Sequence, residues 1–224
     1  MTTPRFQDLP LRQRKRAQTQ LALVDALMHA LHQRTLDEIP ATELAAAVGV
    51  SPATFFNYFA SKADLLTFFI QVWSIDMTIQ GRDIEAKSDS ALAALEGVFA
   101  ETGRITGENP SVMLEIIAHQ ARMTGDITPP GVSNAVRLLR FPDVPDVCTL
   151  PAGGLQDIVP RLLGRAVAAG ELPADTDLQT LSLAVFSLFF GVPLLVGRTD
   201  AHALPSLYTA QLRLLWAGVR AGGH

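Results

Sequence analysis

Residues 42–66 read TELAAAVGVSPATFFNYFASKADLL and set four rings, Phe55, Phe56, Tyr58 and Phe59, just after a glycine, a serine and a proline. The alanine-rich opening forms helix readily, and Gly49 stops it. Ser51 followed by Pro52 starts it again, because a serine hydroxyl caps free N–H groups and proline suits a first helical turn. Ser61, with Asp64 three positions later, is a further start in a capping-box arrangement. The stretch therefore predicts a short helix ending near Val48, a second from Pro52 to about Tyr58, and a long apolar one from Ser61 through Leu65, Leu66, Phe69, Trp73 and Met77 to about Gln80. The two short helices are marginal alone in water and need faces to pack on.

Upstream, Leu21, Val24, Met28 and Leu31 recur at spacings of three and four, which predicts an amphipathic helix over about 12–32. With the long helix after Ser61 it closes a small helical unit, in which Leu44, Ala45, Val48, Val50 and Phe55 have core spacing. Downstream the pattern predicts helices near 88–103, 110–123, 153–169, 177–196 and 204–221. A connection at 125–152 holds five prolines, and its VSNAVRLLR segment predicts one short helix. No alternating strand pattern and no internal repeat is present. The expected fold is all-α, divided into residues 1–71 and 72–224.

Hydrophobic residues form 48% of the 224 and charged residues 18%, the profile of a chain that folds. The apolar run LSLAVFSLFFGVPLLVG at 181–197 is broken by serines, glycine and proline and is a little short for a bilayer span, so a buried helix and no membrane partner are expected. The first twenty residues lack the apolar core of a secretory signal, and a lone Cys148 offers no disulfide framework, so the expected location is cytoplasmic. The net charge of −4 hides an asymmetry. Residues 1–71 carry seven Lys/Arg against six Asp/Glu, and within them Arg5, Arg12, Arg14, Lys15 and Arg16 face Asp8 alone. A positive end on an acidic body suits a polyanion partner; a solvated tail is the alternative reading.

Helix, glycine-containing turn and short helix is the helix-turn-helix arrangement, whose second helix enters the DNA major groove. In detail LDEIPATELAAAVGVSPATFFNYFASKADLL, residues 36–66, resembles the DNA-binding signature of the tetracycline-repressor (TetR) family. Leu44, Ala45, Gly49, Val50, Ser51, Thr54, Tyr58, Phe59, Ser61, Lys62 and Leu65 match that signature in register. The resemblance implies an N-terminal helix-turn-helix DNA-binding domain and a C-terminal helical ligand-binding and dimerisation domain. It turns Phe55 and Phe59 inward. It places Pro52, Ala53 and Asn57 at base edges, where the amide suits adenine and the small residues suit thymine methyls. It assigns Ser51, Thr54, Tyr58 and Lys62 to phosphates, with Thr42 as a further phosphate or base candidate. Two departures stand out: Phe56 where many members carry tyrosine, leaving a residue expected only to pack, and Pro40 where a threonine cap is frequent.

The resemblance further implies a homodimer on a palindromic double-stranded operator, released by a small apolar inducer. Leu181, Val185, Leu188, Leu212, Leu215 and Trp216 are its candidate dimer contacts, and Trp73, Phe99, Met113, Ile117, Phe186 and Phe189 its candidate pocket. No cofactor, metal or catalytic group is expected. Asp25, His29 and His32 share a helix face at metal-like spacing but lack a further ligand nearby in sequence. GVSNA at 131–135 lacks the last glycine and the preceding strand of a nucleophile elbow. The competing class is an α-helical enzyme or ligand carrier with the helix-turn-helix as scaffold, for which Glu115, His119 and Arg122 are the available polar groups.

Overall fold

The computed structural model describes residues 5–123 and 131–222; the start of the proline-rich connection, residues 124–130, lies outside them. Among the described residues ten α-helices follow one another without a strand: α1 (Leu11–Leu31), α2 (Ala41–Ala47), α3 (Pro52–Tyr58), α4 (Lys62–Ala86), α5 (Ala91–Glu108), α6 (Pro110–Arg122), α7 (Asn134–Arg140), α8 (Leu155–Ala168), α9 (Leu178–Val196) and α10 (Leu204–Gly222). The chain forms two compact units. One comprises Met1–Trp73 with Ala118–Ala152, the other Ser74–Ile117 with Gly153–His224. The division is thus not a single cut near residue 71, because the segment carrying α7 joins the first unit.

In the first unit α1 packs against α2 and α7, and α2 against α3. Leu23, Leu27 and Leu31 of α1 are fully buried, whereas Leu21 and Met28 are only half-buried. The buried stripe therefore runs through Ala17, Gln20, Val24, Leu27 and Leu31, and two of the four residues that periodicity marked sit at its edge. α7 buries Ala135, Val136 and Leu138 together with Arg137. The Arg137 guanidinium donates to the carbonyls of Val147 and Leu150, both at 2.9 Å, and so fixes the turns that follow α7. Burial holds this guanidinium below its ordinary pKa, against a smaller effect of Cys148.

In the second unit α5 packs along α10 and against α8, and α9 against α8 and α10. Its centre is aromatic: Phe99 meets Phe189 at 5.5 Å and Tyr208 at 5.3 Å, edge to face in both cases. The Tyr208 hydroxyl donates to the Phe189 carbonyl at 2.7 Å, and burial pushes that phenol well above its ordinary pKa. The first backbone N–H groups of α5 are satisfied from afar, since the Glu171 carboxylate accepts from Ala91 at 2.8 Å and Leu92 at 3.1 Å. At Gly103 a Cβ would stand 2.8 Å from the backbone nitrogen of Pro205. Gly103→Ala is therefore expected to overpack α5 on α10 and lower the unfolding free energy by about 1–3 kcal/mol, read from a urea titration.

α9 is the apolar run singled out above, and it is not a buried helix. It is long and apolar enough to cross a membrane by length and composition, and 28% of its apolar window is buried. Leu183, Leu194 and Leu195 are exposed at 61%, 57% and 82%, and α10 adds Leu214 at 68%. The second unit thus carries uncovered leucines on both of its last helices.

Candidate nucleic-acid interface

Local chemistry shapes the turn between α2 and α3. Gly49 adopts a φ of 70°, the left-handed region that glycine enters without strain. There its N–H donates to Ala46 at 3.1 Å and the Val50 N–H to Ala45 at 3.0 Å, closing the end of α2. Ser51 caps α3 by accepting from the Thr54 N–H at 3.1 Å, and the Ser51 and Thr54 hydroxyls lie 2.9 Å apart. Pro40 caps α2 with no side-chain bond; Arg34 pairs instead with Glu43 in its first turn, one contact being 2.9 Å.

α3 has two faces. Phe55 is fully buried and Phe59 is 5% exposed just beyond the helix, as the sequence predicts. Phe59 meets Phe68 of α4 at 5.3 Å, which seats α3 on the unit. Opposite, Pro52, Ala53 and Asn57 are exposed, and so is Phe56 at 52%. Its ring stands edge-on to Phe55 at 5.3 Å and faces solvent, so Phe56 does more than pack: it extends the outward surface. The signal was present in the sequence, because Phe56 follows Pro52 by four residues and shares its helix face.

The phosphate candidates are placed less uniformly. Thr42 is exposed on α2. Tyr58 is half-buried, with the Arg16 guanidinium 5.1 Å from its ring centroid. Lys62 donates to the carbonyls of Leu36 at 2.7 Å and Asp37 at 3.2 Å, so its ammonium anchors the turn before α2 while keeping its charge near the start of α4. Arg12, Lys15 and Arg16 are exposed along α1.

The remaining candidates spread over both units. Phe99 and Phe189 are 0% and 2% exposed and meet edge to face at 5.5 Å, in the core of the second unit. Met113 is buried and Ile117 and Phe186 half-buried, while Trp73 belongs to the first unit and stacks on Phe69 at 6.4 Å. Leu181, Val185, Leu212 and Trp216 lie in the core of their own unit, out of reach of a partner chain, whereas Leu188 and Leu215 are half-buried. Asp25, His29 and His32 are exposed on α1, and among the described residues no three His, Cys, Asp or Glu gather. Glu115 belongs to the second unit, and His119 and Arg122 take partners in the first, Thr67 at 2.8 Å and Asp37 at 3.5 Å.

Burial first, then the Arg122 charge, holds His119 below the ordinary imidazole value, with Asp64 acting in the opposite sense. The native ring therefore binds a proton less readily than the unfolded one. Stability is expected to fall as the pH drops through about 6.5 and to stay flat above it, and His119→Gln should remove that component from a pH series of thermal melts.

Residues 23–67 match the family described as bacterial regulatory proteins, tetR family. No curated protein matches the chain. Among solved structures, the Bacillus subtilis regulator FadR in complex with stearoyl-CoA superposes with a TM-score of 0.68 at 15% identity, covering 89% of this chain and 98% of that one. Thermus thermophilus FadR with lauroyl-CoA gives 0.58 at 22% identity, covering 89% and 94%. RolR with resorcinol gives 0.62 at 17% identity, covering 92% and 93%. At these identities the likeness is one of fold.

Proposed function

Because residues 23–67 match the tetR family of bacterial regulatory proteins, we infer that the chain is a ligand-responsive DNA-binding transcriptional regulator of that family. The observation that carries this reading is α3, held by buried Phe55 and Phe59 with Pro52, Ala53, Phe56 and Asn57 turned outward as a reading face. Thr42, Ser51, Thr54, Tyr58 and Lys62 surround it as phosphate contacts. Binding alone accounts for this activity, and no catalytic step is assigned.

The chain acts as a cytoplasmic homodimer on a palindromic operator and as a repressor. One short recognition helix reads few base pairs, so two heads are needed for specificity. The exposed leucines of α9 and α10, Leu183, Leu194, Leu195 and Leu214, support a partner copy there, since large uncovered apolar side chains on two helices that pack together suit an interaction surface. The solved relatives hold acyl-CoA or resorcinol, which supports an apolar or aromatic inducer in the second unit, with Met113, Ile117 and Phe186 as wall candidates. Such a ligand releases the operator only to the extent that it binds the DNA-incompetent conformation better.

The test is selection of bound duplexes from a random pool by the purified protein. A palindromic winner held by two protomers is expected. Absence of enrichment would return the enzyme or carrier class to first place. On the winning site, Asn57→Ala and Phe56→Ala should each change the preferred bases, by about 1–3 kcal/mol at the position read. Lys62→Ala should weaken all duplexes alike, as seen by competition binding.

A further inference from the structure

Tyr58 is the last residue of α3, and the backbone on either side of it is fixed. Phe55 and Phe59 are buried, and the Phe59 N–H donates to the Phe55 carbonyl at 2.9 Å. The Tyr58 ring is half-buried, and the Arg16 guanidinium of α1 stands over its face, 5.1 Å from the centroid. Both residues belong to the first unit. A cation in that position is attracted by the negative face of the ring. A guanidinium is planar, so an aromatic ring on its face leaves the donors at its edge directed sideways, in the fork that matches a phosphate.

The contact changes what Arg16 offers to DNA. It is an exposed residue on a long, flexible stem. Fixing such a stem at an interface costs about two- to tenfold in affinity, and a stem already held by a ring escapes that loss. Arg12 supplies the contrast within the same helix. It lies four residues earlier on α1, on the same face and equally exposed, but the cation over the Tyr58 ring is Arg16.

We propose that Arg16 and Tyr58 form one composite phosphate seat that joins α1 to the end of α3. Arg16 forks onto an operator phosphate, and the Tyr58 ring is the positioning residue that holds the guanidinium ready for it. Tyr58 therefore acts through its ring as well as its hydroxyl. The proposal rests on the regulator reading and adds to it a coupled pair in place of two independent contacts.

The test is a double-mutant cycle with the full-length protein on the duplex selected from the random pool, read by fluorescence anisotropy over a series of salt concentrations. Arg16→Gln is expected to weaken the complex about tenfold or more. It should also lower the slope of log affinity against log salt by about 0.9 for each head. Tyr58→Phe keeps the ring, so Arg16→Gln should cost as much in that background. Tyr58→Leu removes the ring, and there the cost should shrink by about two- to tenfold, whereas Arg12→Gln should cost the same in both backgrounds. Pentafluorophenylalanine at position 58 keeps the shape of the ring and abolishes its negative face. It should act as Tyr58→Leu does, and it decides the matter if Tyr58→Leu lowers the urea midpoint. Arg16→Lys retains the charge without the fork, so the salt slope should stay while affinity drops. Equal cost of Arg16→Gln in every Tyr58 background would overturn the proposal and leave the regulator reading standing. Failure of the wild type to enrich any duplex would overturn both.

Discussion

Between about 50 and 200 mM salt the affinity of this protein for its duplex is expected to fall by roughly 10³- to 10⁵-fold, if the dimer makes about 6–10 phosphate contacts. The sources of that charge are on the surface: Arg12, Lys15 and Arg16 are exposed along α1, and Lys62 stands at the start of α4. Each phosphate they neutralise releases counterions, and the slope of log affinity against log salt counts them at about 0.9 per contact. Arg12→Gln should lower that slope by about 1 for each head that loses a contact, without changing which sequence is preferred. Fluorescence anisotropy on the selected duplex reads both quantities. A slope near zero would remove the nucleic-acid reading, because the overall charge of −4 offers no other source of affinity for a polyanion.

Phe55→Ala is the substitution with the largest expected effect on the protein itself. The side chain is 0% exposed and touches the rings of both Phe56 and Phe59, at centroid distances of 5.3 and 6.1 Å. Emptying that volume should cost about 3–5 kcal/mol, a large share of a total stability of about 5–15 kcal/mol. α3 has seven residues and cannot hold itself without the ring beneath it, so DNA binding should vanish together with the lowered urea midpoint. The neighbouring Phe56→Ala makes the contrast. Its ring is half in solvent, and the change should leave the midpoint nearly untouched while altering base preference. Similar loss of stability from both substitutions would mean that the inward and outward faces of α3 are wrongly assigned.

Helix boundaries around the turn were legible because they depend on chemistry within a few residues. Gly49, the Ser51–Pro52 pair and the Ser61–Asp64 pair each act on adjacent backbone groups, and Asp64 donates its N–H to the Ser61 hydroxyl at 3.1 Å as that spacing predicts. The far end of α4 was not: it runs past Gln80 to Ala86 through Gly81, whose missing side chain leaves room for Ile158. Which leucines face inward depends on the packing partner, and a single sequence does not name it. Thus Leu181 and Leu212 are core while Leu183 and Leu214 are outside, although each pair is only two residues apart. Phe99 and Phe189 resemble pocket residues by type, and only the placement of Tyr208 between the same helices shows that they fill the space.

The packing of α7 on α1 also decides where this gene can be cut. A fragment ending at Trp73 would carry the whole helix-turn-helix yet leave the α1 surface around Leu21 and Ala22, which shares a groove with Leu139 of α7, without its cover. An exchange of reading heads between related regulators would meet the same mismatch if only the first seventy or so residues were moved. Such an exchange should keep Met1–Trp73 together with Ala118–Ala152, the two segments of the first unit.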